Sequence, residues 1–443
     1  MPTEAVPGSR FPGPRGLEHA RVMNLAGGDV RAALDACRSR HGDAFVFGFG
    51  PIRYHWFLGL DGVRFVLHDQ VDAFGNAGAY GFLEPIGGRT ALIATDDPEH
   101  LRRRRAVQPA FHPRQVDGWA LAAADRFEAF VADRISEGAG QLLPALRPVV
   151  LEIVLDVLLG PSARVRHPRL AADVATMMAF ANQPLLAQLV KVPVPPAPWA
   201  TFVAARRRAD AALRSDIRAR RAGADLGPGG VLELLISLDD DPNAHLSEDE
   251  LRDQALSLVA AGFDTTTAAI AWTSLLLSRP ELGEPVAQEL AGLAPAEAVR
   301  APLAGALLQE ALRLYPPAPA VLRRVRRAVD WHGHGLPVGA GVGLSLWHLH
   351  RDPALWREAD RAVPERWLDR SGPWAAPRDP LAFVPFGHAG RYCIGAGLAR
   401  TLTLAYAWAA LRTARWTPQK LDARPEGMTL VPAGGLPLSW RAL

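Results

Sequence analysis

The chain has 443 residues, 49% of them hydrophobic and 21% charged, with a net charge of +3. This composition excludes a disordered, collagenous or coiled-coil protein, and the length is enough to bury a core and enclose a cofactor. So small a net charge gives no basis for nucleic-acid binding, although nearly all the basic residues are arginine, with Lys191 and Lys420 the only lysines.

The N-terminus, Met1 to Gly8, has no basic segment and no apolar segment of the secretory type. Residues 1–16 are rich in Pro and Gly and read as a loose arm ahead of one large domain over 17–443. Short apolar runs at Ala44–Gly48 and Trp56–Gly59, broken by glycine turns, predict strands. From about 99 to 290 the pattern is helical. Helices are expected near 99–110, 116–137, 145–159, 168–181, 199–222, 230–238 and 247–278, with loops at Pro193–Pro198 and Gly223–Gly230. A further helix over 300–315 stops at Pro316-Pro317. Val329–Trp331 and Gly341–Ser345 read as short strands, and 396–414 as a long apolar helix. The expected fold class is mainly α with a minor β region. No stretch reaches the roughly 20 apolar residues that span a bilayer, so no membrane anchor is expected. The two cysteines, Cys37 and Cys393, are far apart and form no C-x-x-C, which argues against a disulfide framework or structural zinc and for reduced thiols in a cytoplasmic setting.

Cys393 sits in the loop Phe386-Gly387-His388-Ala389-Gly390-Arg391-Tyr392-Cys393-Ile394-Gly395, just before the last long helix. A helix N-terminus favours the thiolate, which is the metal-binding form. The glycines let the chain turn tightly against a flat object; Arg391 suits an anionic group on it, and Phe386 suits its face. The bland alternative is a buried, inert cysteine in a glycine-rich turn.

The loop resembles that of the cytochrome P450 family, F-x-x-G-x-R-x-C-x-G, matching at Phe386, Arg391, Cys393 and Gly395. It departs where Ala389 stands in place of glycine, with Gly390 next door to absorb the turn. The resemblance implies a single mostly helical domain, heme b as cofactor, Cys393 as the axial ligand of the heme iron, and Arg391 on a heme propionate.

Other motifs follow in the family's order. Glu310 and Arg313 lie at i, i+3 on one helix face, which alone would read as a surface ion pair. With Arg366 of Pro364-Glu365-Arg366-Trp367, the resemblance gives them a structural role in a buried network. Ala260-Ala261-Gly262-Phe263-Asp264-Thr265-Thr266 places poor helix formers inside a long apolar helix; Asp264 could instead cap a second helix. The resemblance implies that Thr265 hydrogen-bonds the bound dioxygen and that Asp264 relays protons. His100 and Arg104 share a helix face that alone reads as solvated and basic. The resemblance puts them, with Arg323 rather than its neighbour Arg324, on the propionates, and leaves Arg102 and Arg103 to meet an electron donor.

The implied reaction inserts one atom of O2 into a hydrophobic small molecule (a terpenoid, polyketide or fatty acyl compound). Its electrons come from NAD(P)H through a separate ferredoxin and ferredoxin reductase, since no G-x-G-x-x-G lies between a strand and a helix. The resemblance places substrate contacts at 76–93, Met177–Val192, Ala260, Ala261 and Pro319–Leu322, including Val321. The rivals are a heme-thiolate peroxygenase, isomerase or coupling enzyme, a non-catalytic heme carrier, and a cysteine hydrolase using Cys393 and His388.

Overall fold

The computed structural model describes residues 11–49, 52–183, 192, 197–241, 244–420 and 424–443. Its contacts gather into two compact units, Met1–Gly81 with Gln309–Cys393, and Phe82–Leu308 with Ile394–Leu443.

The first unit is built on a five-stranded sheet ordered Ala44–Phe49, Ile52–Phe57, Gly341–Ser345, Ala320–Val325 and Phe74–Gly75. Only the pair Ile52–Phe57 with Gly341–Ser345 is parallel. Gly343 is required there: a Cβ at 343 would lie 2.7 Å from the Trp56 ring. The sheet's apolar side chains, Phe57, Val342 and Leu344 among them, form a core with Phe65, Leu346 and Leu381. Two helices, Gly16–Gly28 and Val30–His41, precede the sheet, and the second begins under an Asp29 side-chain cap.

The second unit is helical. Helices Leu142–Leu159 and Ala396–Thr413 pack on Glu248–Leu277, a 30-residue helix opened by a capping box between Ser247 and Glu250, and Pro113–Glu137 packs on Ala396–Thr413. By length and composition it could cross a membrane, but 67% of its most apolar window is buried inside the fold, as in a core helix. Burial also explains why Gly262, Asp264 and three consecutive threonines do not break it. The hydroxyls of Thr265, Thr267 and Ser274 each donate to the carbonyl four residues back. The alternative of a new helix capped by Asp264 is therefore not what the chain does.

Trp272, fully buried on this helix, donates its indole N–H to the Leu430 carbonyl at 2.8 Å. Trp272→Phe keeps most of the packing and strands that carbonyl. It should cost about 1–3 kcal/mol, read as a lower urea midpoint at unchanged slope.

Candidate active site

The cysteine loop is held by backbone bonds. The Cys393 N–H donates to the Phe386 carbonyl at 2.7 Å, Gly387 N–H to Val384 at 3.0 Å, and Tyr392 N–H to Ala389 at 3.0 Å. The helix Ala396–Thr413 follows with Gly395 as its cap, as expected. Gly387 turns at φ +76°, where a Cβ would meet the Arg391 carbonyl at 3.2 Å. Ala389 itself takes φ +49°, while Gly390 stays at negative φ. The methyl is therefore not relieved by its neighbour, which corrects that expectation, and Ala389 bears the left-handed strain, worth roughly 1–2 kcal/mol for an L-residue.

The two thiols differ. Cys37 is fully buried and burial pushes it up to about 11, so it is inert. Cys393 is exposed, and Phe386 and Arg391 beside it are half-buried. Among the described residues no three His, Cys, Asp or Glu side chains gather to hold a metal ion. A single cysteine sulfur on a tight turn would suit an iron whose remaining ligands come mainly from a macrocycle, and heme is such a group.

Behind the loop lies a buried charge network. Glu310 and Arg313 are fully buried and Arg366 is 1% exposed. Arg313 pairs bidentately with Glu310 at 2.8 and 2.9 Å and donates to the carbonyls of His350, Ala359 and Arg361. Arg366 Nε lies 3.5 Å from Glu310. The surface ion-pair alternative is thus excluded. Sequence reasoning missed two members. Trp367 donates its indole N–H to Glu310 at 3.0 Å, and His350 Nε2 accepts the Val384 N–H at 3.2 Å. The tryptophan stood next to Arg366 in the motif; nothing in the sequence singled out His350.

Asp264 is 3% exposed. Its Oδ2 accepts from the Asn182 amide at 2.7 Å, and its Oδ1 lies 3.7 Å from the Arg147 guanidinium. Burial raises its pKa against the opposing pull of Asn182 and Arg147. Thr265 is next to it, half-buried, with its hydroxyl 2.5 Å from the Ala261 carbonyl.

On the helix Glu99–Val107, His100 is buried with Nδ1 3.0 Å from Asp97, and Arg104 is half-buried. Arg103 was expected to meet a partner. Instead it is 7% exposed and bonded to Glu250 at 2.8 Å, while Arg102 donates to the His245 carbonyl and pairs with Glu99 and Glu250. Their charge is consumed internally, and Arg105 is the exposed arginine here. On the strand Ala320–Val325, Arg324 is occupied by the Gly78 and Gly339 carbonyls, whereas Arg323 is buried on the opposite strand face. Ala260 and Val321 are half-buried and Ala261 is exposed; Val321 packs against the sheet core. Of the Met177–Val192 stretch, 184–191 lie outside the described residues.

The fold matches solved heme proteins along nearly its whole length. A retinoic acid-bound cyanobacterial structure, CYP120A1, superposes with a TM-score of 0.85 at 24% identity, covering 98% of this chain and 100% of that one. A second, the heme domain of cytochrome P450DA, gives 0.84 at 20% identity, covering 98% of each chain. This is the cytochrome P450 fold, mainly helical with small sheets. The family model "Cytochrome P450" matches residues 13–434, and the chain belongs to that family. It is a cytochrome P450 monooxygenase, a heme enzyme that uses O2 and redox partners. Similar sequences include cyclooctatin synthase of Streptomyces melanosporofaciens, 31% identical over 80% of this chain and 78% of that one. Another is a putative cytochrome P450 139 of Mycobacterium bovis, 29% identical over 80% of this chain and 83% of that one.

Two outcomes test this geometry. Ala389→Gly should stabilise the holoenzyme by about 1 kcal/mol in urea unfolding, and no gain would mean that the left-handed turn costs nothing. His350 is held near a pKa of about 3 by burial and by the charges of Arg313 and Arg351, below the ordinary imidazole range. Its unfolded form binds a proton first as pH falls, so stability should drop by about 1.4 kcal/mol per pH unit below about 6.5. That one-proton slope should vanish in His350→Asn.

Proposed function

We propose that this monooxygenase oxidises a hydrophobic small molecule of terpenoid, polyketide or fatty acyl type, taking electrons from NAD(P)H through a separate ferredoxin and ferredoxin reductase. Cys393 would hold the iron of heme b through its sulfur. Arg391, His100, Arg104 and Arg323 hold its propionates, and Phe386 covers its face. When bound, heme b would supply the activation of O2 by which one oxygen atom enters the substrate and the other leaves as water.

The protein's part is positioning and proton delivery. Thr265 presents a hydroxyl that can leave its Ala261 partner and carry a proton. Asp264, beside it, holds a proton to higher pH than an ordinary carboxyl and acts as the acid that resupplies it. Glu310, Arg313 and Arg366 fix the scaffold and take no part in the chemistry. The apolar Ala260, Ala261 and Val321 support a substrate with little charge. The relative named cyclooctatin synthase supports a small-molecule biosynthetic role.

The observation that carries this reading is the buried Asp264 with its raised pKa next to Thr265. An enzyme driven by peroxide needs no such proton supply, so the pair favours O2-dependent turnover over the peroxygenase alternative. Thr265→Ala, assayed in the reconstituted system, should divert most electron flow from product to hydrogen peroxide with NAD(P)H consumption retained. In Cys393→His the ferrous carbonyl spectrum should change from the thiolate to the nitrogen-ligated form. A wild-type spectrum of nitrogen type, or product yield unchanged in Thr265→Ala, would overturn the assignment.

A further inference from the structure

The segment after Gly81 is strapped to two helices by side chains that the sequence reading did not single out. Its short helix Glu84–Gly87 ends at Gly88, whose N–H donates to the Glu84 carbonyl at 2.9 Å. So short a helix leaves its later carbonyls without intrahelical partners. The Pro85 carbonyl is met from outside, by the guanidinium of Arg206 on the helix Pro198–Arg221. Beyond the turn the central helix Glu248–Leu277 takes over. Asp253 Oδ2 accepts the Thr90 N–H at 2.9 Å and the Thr90 hydroxyl at 2.8 Å. Gln254 accepts the Leu92 N–H at 3.2 Å and donates to the Thr90 carbonyl at 2.7 Å. Between the two anchors the chain runs against the helix so closely that only glycine fits. At Gly88, with φ +83°, a Cβ would lie 1.9 Å from the Asp253 carboxylate, and at Gly87 one would lie 2.9 Å from Ser257.

The anchors differ in kind. Asp253 and Gln254 are 4% and 0% exposed and make four bonds to the segment. Arg206 makes one. Its Nε is buried without a hydrogen-bond partner among the described residues, Asp210 stands 3.7 Å away, and burial pushes the guanidinium pKa down. Burying an arginine for one carbonyl adds little stability, because an apolar side chain of similar volume often serves as well. What the arginine supplies is a fixed place for the turn.

We propose that Arg206 is a positioning residue for substrate recognition, holding the Glu84–Gly87 turn so that the half-buried Phe82 and Leu83 before it form a preset apolar wall for the substrate. The inference rests on the reading that the stretch 76–93 contacts substrate. With the Pro85 carbonyl bonded, the ligand meets a surface already ordered and does not bear the cost of ordering it. Without that bond the segment stays tethered at Thr90 and swings about Gly88. Affinity then falls by the fraction of time the wall is out of place, for those ligands large enough to reach it.

The test uses the holoenzyme with Arg206→Met, which keeps length without a donor, and Arg206→Lys, which can still donate to a carbonyl. Amide hydrogen exchange is followed over residues 82–94. Heme spectral titrations use two probes, imidazole, which is small, and phenylimidazole, which fills more of the pocket. A bond from a charged donor is worth a factor of about ten or more, so Arg206→Met should speed exchange in this segment by about that factor. Phenylimidazole should bind at least about fivefold more weakly while imidazole is unchanged, and Arg206→Lys should recover most of both effects. Unmoved exchange would overturn the proposal. Faster exchange with unmoved phenylimidazole affinity would make the clamp purely structural and overturn its role in recognition, as would equal weakening of both probes. If imidazole gave no heme spectral change in the unaltered protein, the heme reading would fail and take the recognition role with it, while the exchange result would still decide the clamp.

Discussion

Removing Glu310 and Arg313 from water costs several kcal/mol per ion, and only a closed set of partners offsets that. The structure supplies them. Both carboxylate oxygens receive the bidentate guanidinium, the Val363 N–H and the Trp367 indole fill the remaining lone pairs, and the free edge of Arg313 is spent on three carbonyls. The geometry of those carbonyls is therefore fixed by electrostatics. One of them belongs to His350, whose ring accepts the Val384 N–H; the Val384 carbonyl in turn takes the Gly387 N–H that opens the cysteine turn. The position of Cys393 is thus set by bonded steps that begin at a buried ion pair. Protonating His350 would put an N–H against the Val384 N–H, so the neutral ring is part of the same constraint.

Much of this was legible because helical periodicity and capping signals are local. Glu99–Val107, Pro198–Arg221, Glu248–Leu277, Pro302–Leu314 and Ala396–Thr413 lie within a few residues of their expected bounds. Gly16–Gly28 went unread because proline and glycine dominate the approach to it. Pro280–Leu290 fell within the stretch read as helical but was given no bounds of its own, because Pro285 interrupts its interior. The strands Ala414–Pro418 and Pro437–Ala442 pair with each other across the last loop, a non-local register that no window of sequence displays.

At the candidate site, residue type and spacing singled out Cys393, Asp264 and the Glu310–Arg313 pair, while partners remained invisible. A run of four arginines reads as a charged surface. Only the fold shows that Glu250, nearly 150 positions away, consumes two of them. Arg323 and Arg324 are indistinguishable as letters and are separated only by the two-residue alternation of a strand. Ala389 is the converse case. The departure was plain in sequence, but whether Gly390 would take the strain depended on backbone angles.

The buried carboxylates Glu310 and Asp264 show how one functional group serves two ends. Glu310 meets donors on both oxygens, so it has no capacity left to exchange a proton and holds structure. Asp264 has one oxygen bonded to Asn182, while the other stands 3.7 Å from the Arg147 guanidinium, beyond hydrogen-bond reach. In a low-dielectric setting the first arrangement is rigid because each bond reinforces the others, and the second is poised because either protonation state is only partly compensated. A fully satisfied Asp264 would make a more stable protein and a poorer acid. The incomplete hydrogen bonding at this position suits the proton-relay role proposed for Asp264, and it is borne by a helix of 30 residues with buried faces.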